Sequence, residues 1–152
     1  MSTFEDNIHF HVGGSKVLVA SGSNSDKTSE IIDLEDASFQ CTVNQYPTSA
    51  NGATGGLVGN TPLLCGGRIG SSNYQKSCYS LKEDGAWKLE SSSELNTARG
   101  YAATGSVIMN NKLVVAGGYG SEYQKLATIS IVAPNEVAEQ LTTSLPVGMY
   151  RS

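Results

Sequence analysis

Hydrophobic positions along this chain fall into three runs of one shape. Each is a short apolar stretch ending in a pair of small residues: Val17-Leu18-Val19-Ala20-Ser21-Gly22, Leu63-Leu64-Cys65-Gly66-Gly67 and Leu113-Val114-Val115-Ala116-Gly117-Gly118. The doublets close at Gly22, Gly67 and Gly118, at intervals of 45 and 51 residues. Self-similarity at a period of about 50 marks an array of one supersecondary unit. An unbroken apolar run this short reads as a strand buried on both faces.

Aligning the doublets brings the flanking segments into register. A first strand precedes each run: Ile8 to Val12, Ala53 to Val58 and Tyr101 to Met109. Gly13-Gly14, Gly59-Asn60 and Asn110-Asn111 then supply the hairpin turns, because such turns need positive φ. After each doublet come a polar loop and a third strand, at Ser29 to Leu34, Ser77 to Leu81 and Ala127 to Val132. A fourth strand follows, with Phe39 near its start in the first unit and Trp87 in the second; the third offers Val137 to Leu141. Each unit is therefore a four-stranded antiparallel meander, over about 8–46, 52–93 and 101–144, and the expected fold class is all-β. Glu136 to Leu141 is the one stretch that local pattern leaves between helix and strand.

The second unit carries Gly66-Gly67, Tyr79, Trp87 and Arg99 in the order of the kelch repeat, and the chain resembles that family over nearly its full length. The first unit departs from the pattern with Ser21 in place of the first glycine, and the third lacks the tyrosine and tryptophan. The resemblance implies a β-propeller whose blades are these three units, forming either part of a propeller or half of a dimeric six-bladed ring. It also implies a protein-binding role through loops on one face, as in ubiquitin-ligase substrate adaptors and cytoskeletal linkers. The doublet glycines are expected to allow close backbone packing, Trp87, Phe39 and Tyr79 to fill the space between blades, and Arg99 to reach a neighbouring blade's carbonyls.

Propellers hold roughly four to eight blades, so three leave an open wedge with an apolar face at each end. Leu145 to Ser152 resembles the lead-in to a further first strand, as Leu95 to Tyr101 does before the third unit. The expectation is a piece of a larger propeller, or two copies closing head-to-tail.

Composition narrows the partners. Charged residues make up 16% of the chain and the net charge is −4, with no basic run, which argues against nucleic acid. No apolar stretch is long enough for a spanning helix, and no signal peptide is read at the N-terminus. Three cysteines are too few for a disulfide framework, so a reduced, cytoplasmic protein is expected. Cys65 and Cys78 fall on neighbouring strands and could pair in an oxidising compartment; all three cysteines are otherwise read as small buried hydrophobes.

Candidate chemistry is thin. His9 and His11 share one strand face, but no third metal ligand is obviously placed, so no metal site or cofactor is expected. Copper-radical oxidases similar to galactose oxidase use kelch propellers, yet their histidine, tyrosine and cysteine set has no residue-by-residue match here. Gly13-Gly14 and Gly66-Gly67 open no helix and so are not phosphate loops. The expected activity is non-catalytic binding of a protein or peptide. The longest polar loops, 68–76 and 119–125, leave equivalent edges of adjacent units, which would set Tyr74 and Tyr123 beside Arg68. Arg68, Asn73, Tyr74, Tyr119, Glu122 and Tyr123 are the candidate binding residues, since tyrosine and arginine dominate the energetics of protein interfaces. A self-assembling structural half-propeller is the alternative reading, and a metal-dependent enzyme fragment a more distant one.

Overall fold

The computed structural model describes residues 8–22, 27–36, 38, 43–102 and 106–148. These form antiparallel sheets with no α-helix among them. The first sheet has the order β1 (Ile8–Gly13), β2 (Lys16–Ala20), β3 (Ser29–Asp33). Phe39 and Cys41, expected on its fourth strand, lie outside the described residues. The second sheet is β4 (Thr54–Val58), β5 (Thr61–Cys65), β8 (Cys78–Leu81), β9 (Trp87–Leu89); β6 (Arg68–Ile69) and β7 (Asn73–Tyr74) form a separate ribbon between β5 and β8. The third is β10 (Val107–Met109), β11 (Lys112–Ala116), β12 (Ile129–Val132), β13 (Glu139–Gln140). The stretch 136–141 thus contributes a strand, and the loop 68–76 is ordered as a ribbon.

The hairpins follow the turn chemistry. Asn110 and Asn111 both take left-handed backbone, at φ 49° and 60°, as a two-residue turn between right-twisted strands requires. Register then decides which residue faces which sheet. Leu18 opposes Phe10 and Ile31, and this face of the first sheet packs on Leu64, Tyr79, Leu81 and Trp87 of the second. Leu63, Cys65 and Cys78 point the other way, onto Leu113, Val115 and Val132 of the third. The middle sheet is therefore covered on both faces, as its continuous apolar strand demands.

β4 sits between its counterparts β1 and β10, and two adjacent glycines make that possible. A Cβ on Gly55 would lie 2.4 Å from the carbonyl oxygen of Leu63 and 3.0 Å from the Phe10 ring; one on Gly56 would lie 2.9 Å from Cδ1 of Ile108. The doublets work similarly: a Cβ on Gly66 would stand 2.5 Å from the Arg99 carbonyl oxygen, and one on Gly118 2.7 Å from that of Gly100. Their close neighbour is the backbone entering the next sheet.

The junction between the first two sheets is aromatic. Tyr46, buried, meets Tyr79 and Trp87 edge-on at 5.3 and 4.9 Å, and burial holds its hydroxyl well above the usual phenol range. Trp87 donates its indole N–H to Ser29 and to the carbonyl of Asn44 across the same boundary. Between the second and third sheets the bonds are polar. Arg99, 1% exposed, donates to the carbonyls of Gly117 (3.0 Å) and Thr128 (2.8 Å) and to the hydroxyls of Thr128 and Ser130. Burial lowers its pKa to about 10, which leaves it charged at neutral pH. Glu90, equally buried, accepts from Ser80 (2.6 Å) and from the Asn135 backbone N–H, with Lys88 at 3.3 Å. Burial works to raise its pKa, but the Ser80 and Lys88 bonds prevail and hold it below the usual carboxylate value.

Cys65 and Cys78 are directly opposed across β5 and β8, with Cα atoms 4.0 Å apart, and their sulfurs are bonded. They are buried hydrophobes as expected, but as a disulfide rather than as two thiols. Thiol titration of the denatured, unreduced protein should therefore find one free cysteine, and three after reduction. Reduction should lower stability by about 3 kcal/mol, the order expected for closing a loop of this size. Three free thiols in protein purified without reductant would refute the bond. Arg99→Met should lower the unfolding free energy by about 3 kcal/mol in urea titration, since it strands buried carbonyls and hydroxyls. An unchanged midpoint would show that Arg99 does not tie the second sheet to the third.

Candidate functional site

The site is assembled from backbone first. As the chain approaches β4, Asn51 exchanges both main-chain hydrogen bonds with Arg68 (2.9 and 2.8 Å); one unit later, Gly100 does the same with Tyr119 (3.0 and 2.8 Å). These equivalent bridges fix the start of each loop to the segment leading into the β4 and β10 hairpins. Tyr101 N–H then donates to the Gly52 carbonyl, linking the two bridges. Gly52 has φ +65°, and a Cβ there would fall 2.7 Å from the Tyr101 ring, so only glycine lets that ring lie where it does.

Onto this frame the side chains converge. The Arg68 guanidinium carbon stands 5.2 Å from the Tyr101 ring centroid and 5.9 Å from that of Tyr123, within the range of cation–π attraction. Tyr123 meets the rings of Tyr74 and Tyr119 edge-on at 6.4 and 6.3 Å. Its hydroxyl donates to the Ser71 carbonyl (2.9 Å) and accepts from Nη1 of Arg68 (3.4 Å). Tyr123 ends the one 3₁₀ turn among the described residues, Ser121–Tyr123, in which Glu122 and Tyr123 both adopt left-handed backbone at φ 55° and 59°. Non-glycine residues hold that conformation only where their surroundings impose it.

The expected juxtaposition of Arg68, Tyr74 and Tyr123 is present, with differences in exposure. Tyr123 is 54% exposed and Arg68 half-buried, whereas Tyr74 is buried, 7% exposed, where a surface loop residue was expected. Its burial follows from the β6–β7 ribbon, which pairs Tyr74 with Arg68 and turns its ring inward. Tyr119 is half-buried, while Asn73 and Glu122 are exposed. Lys76, at the end of the ribbon loop, is tied to Glu94 at 2.7 Å. Sequence reasoning missed Tyr101 and Asn51; the glycine immediately after Asn51 was the available signal. Three buried polar atoms here have no hydrogen-bond partner: Nε of Arg68, the hydroxyl of Tyr74 and Oδ1 of Asn51.

Other candidate chemistry is not assembled. His9 and His11 are exposed on β1, and His11 Nε2 lies 2.6 Å from the Gly14 carbonyl. Among the described residues no three His, Cys, Asp or Glu side chains stand together as a metal-binding group. A cavity of about 210 Å³ opens at the opposite, hairpin end of the first two sheets, lined by Val12, Ile31, Pro62 and Leu81 with Lys16 and Lys82. It is below the usual size of a small-molecule site.

No protein family profile matches this chain, and no curated protein does. Among solved structures, that of YjhT is similar with a TM-score of 0.70 over 90% of this chain, at 14% identity. The chain spans 45% of YjhT. At that identity the likeness concerns the fold, and what it supports is the all-β arrangement of stacked antiparallel sheets.

Proposed function

We propose that this chain is a non-catalytic binding module of the kelch-propeller type, its three sheets being consecutive blades. It recognises a protein or peptide through the loops that follow β5 and β11. The cluster formed by Arg68, Tyr74 and Tyr123 carries this reading. It joins equivalent loops of adjacent sheets, sits on a rigid backbone frame, and presents the residue types that dominate interface energetics. The glycine doublets, the Arg99 clip and the likeness to a chain more than twice as long support the propeller assignment. A role as a substrate adaptor or cytoskeletal linker is an extension of the kelch resemblance.

Peptides selected from a displayed random library on the immobilised chain should lose at least about thirtyfold in affinity when Tyr123 is changed to alanine. They should keep full affinity for Leu34→Ala, an exposed position just after β3. Equal loss at both positions, or none at Tyr123, would refute the loop assignment.

A second reading, self-assembly, has its own observation. Val107 and Met109 are more than half exposed on β10, and Val114, Ala116, Ile129 and Ile131 share their face by register, with the Lys112–Glu139 ion pair (2.8 Å) crossing its hairpin end. These positions correspond to Gly56, Val58, Leu63, Cys65, Cys78 and Ser80, the face with which the second sheet covers the third. The third sheet thus repeats a largely apolar face with no sheet on it among the described residues. Light scattering across a concentration series should show a dimer that Ile131→Asp dissociates. A monomer at every concentration would refute self-assembly while leaving the loop reading intact.

A further inference from the structure

The charge surroundings of Arg68 point to the chemistry of the ligand, an inference that rests on the loop reading above. The chain is acidic overall, with 14 carboxylate residues against 10 basic ones. Lys76, Lys82, Lys88 and Lys112 each hold a carboxylate at 2.7 to 3.6 Å. Arg99 is saturated by carbonyls and hydroxyls. Arg68 differs from all of them. Among the described residues it has no carboxylate partner, and its Nε–H is buried with nothing to donate to. Two tyrosine faces offset part of the cost of holding a cation half out of water, but a ring face does not accept the in-plane Nε–H.

A second donor lies beside it. Tyr74 is paired with Arg68 across the ribbon, more than nine-tenths buried, and its hydroxyl is also unpartnered. Asn51, joined to Arg68 through the backbone, contributes an unpartnered carbonyl oxygen, Oδ1. The cluster therefore offers two hydrogen-bond donors, one of them cationic, and one acceptor. That set suits a carboxylate accompanied by an amide N–H. We infer that Arg68 and Tyr74 bind a carboxylate carried by a peptide, with the ligand amide donating to Asn51. Tyr123 borders the pair: its ring stands 5.9 Å from the Arg68 guanidinium carbon and meets the Tyr74 ring edge-on at 6.4 Å, and its hydroxyl is tethered by the bond to Ser71.

A peptide carboxylate is either a side chain or a chain terminus, and two small probes separate them. N-acetylaspartic acid amide presents the first, N-acetylglycine the second, and N-acetylasparagine amide is the neutral control. Each is titrated into the full chain while the Nε–H resonance of Arg68 is followed by NMR. At least one carboxylate should give a saturable shift within tens of millimolar, and the neutral control none. Whichever acid shifts the resonance identifies the source; both doing so supports the shared chemistry. Arg68→Lys keeps the charge but removes the planar fork, and Tyr74→Phe removes one hydroxyl while keeping the buried ring; each should weaken the titration about tenfold or more. For Arg68→Lys the Tyr101 ring resonances serve as the probe. No saturable shift with either acid, an equal shift with the neutral control, or undiminished binding in both variants would overturn the inference. If selected peptides still depend on Tyr123 after such a result, the loop reading stands and only the carboxylate assignment falls.

Discussion

Apolar side chains on both faces of the same strand are the constraint from which the rest of this structure follows. Leu63 and Leu64 are adjacent in β5, so they point to opposite sides of the sheet, and both are fully buried. One sheet cannot meet that demand with a single neighbour. Leu64 is covered by the first sheet and Leu63 by the third, and the sheets are forced into a stack in chain order. The inner strands must then come close enough for side chains such as Phe10 and Ile108 to reach across. Gly55 and Gly56 supply that approach on the two faces of one strand, where any larger residue would meet a neighbouring atom at 3 Å or less.

Stacking sheets in this way leaves the connecting backbone partly buried, and its polar groups need partners. Each junction solves the problem with a different side chain. Between the second and third sheets Arg99 supplies donors to the carbonyls of the Gly117 and Thr128 turn. Between the first and second, Ser21 accepts the Ala50 N–H at 2.8 Å and donates to the Ala50 carbonyl at 2.9 Å. Ser21 holds φ 58°, a conformation a glycine would adopt freely, so its hydroxyl bonds offset the strain of departing from the doublet pattern. These clips bear on the candidate site because Asn51 and Gly100, whose backbone bonds hold Arg68 and Tyr119, directly follow Ala50 and Arg99.

What was legible in the sequence divides along the same line. Strand order and most strand boundaries were readable because alternation, turn residues and the doublets are local signals. Arg99 reaching a neighbouring sheet, and Tyr79 and Trp87 between sheets, were readable through the repeat pattern. Tyr46 was not, although it is the centre of the aromatic junction, because it stands alone at the end of the first unit with no periodic neighbour. Glu90 was equally silent: a carboxylate two residues after Lys88, at the head of a serine run, gives no hint of burial until Ser80 and the Asn135 N–H are brought to it. The ribbon β6–β7 escaped because strands of two residues have no period to detect, and with it went the burial of Tyr74. Pairing of Cys65 with Cys78 was open at the level of sequence, since adjacency on neighbouring strands permits a disulfide without requiring one.

That disulfide also bears on how the loop cluster is held. Cys65 and Cys78 close β5 and β8 immediately before and after the segment that contains the β6–β7 ribbon. The ribbon therefore springs from two strands that cannot separate, and Gly66 N–H to Ser77 O at 3.0 Å, with Gln75 N–H to Gly67 O at 2.8 Å, continues the pairing up to it. The equivalent pair in the third sheet, Ala116 and Ile129, has no covalent link, and there the loop contains a 3₁₀ turn with two left-handed residues instead of a ribbon. Arg68 and Tyr74 therefore stand on a covalently closed pair of strands, and Tyr123 on a turn held in left-handed backbone. The proposed recognition role draws on that difference: the groups assigned to the ligand stand on strands whose geometry is already fixed, which lowers the ordering cost of binding.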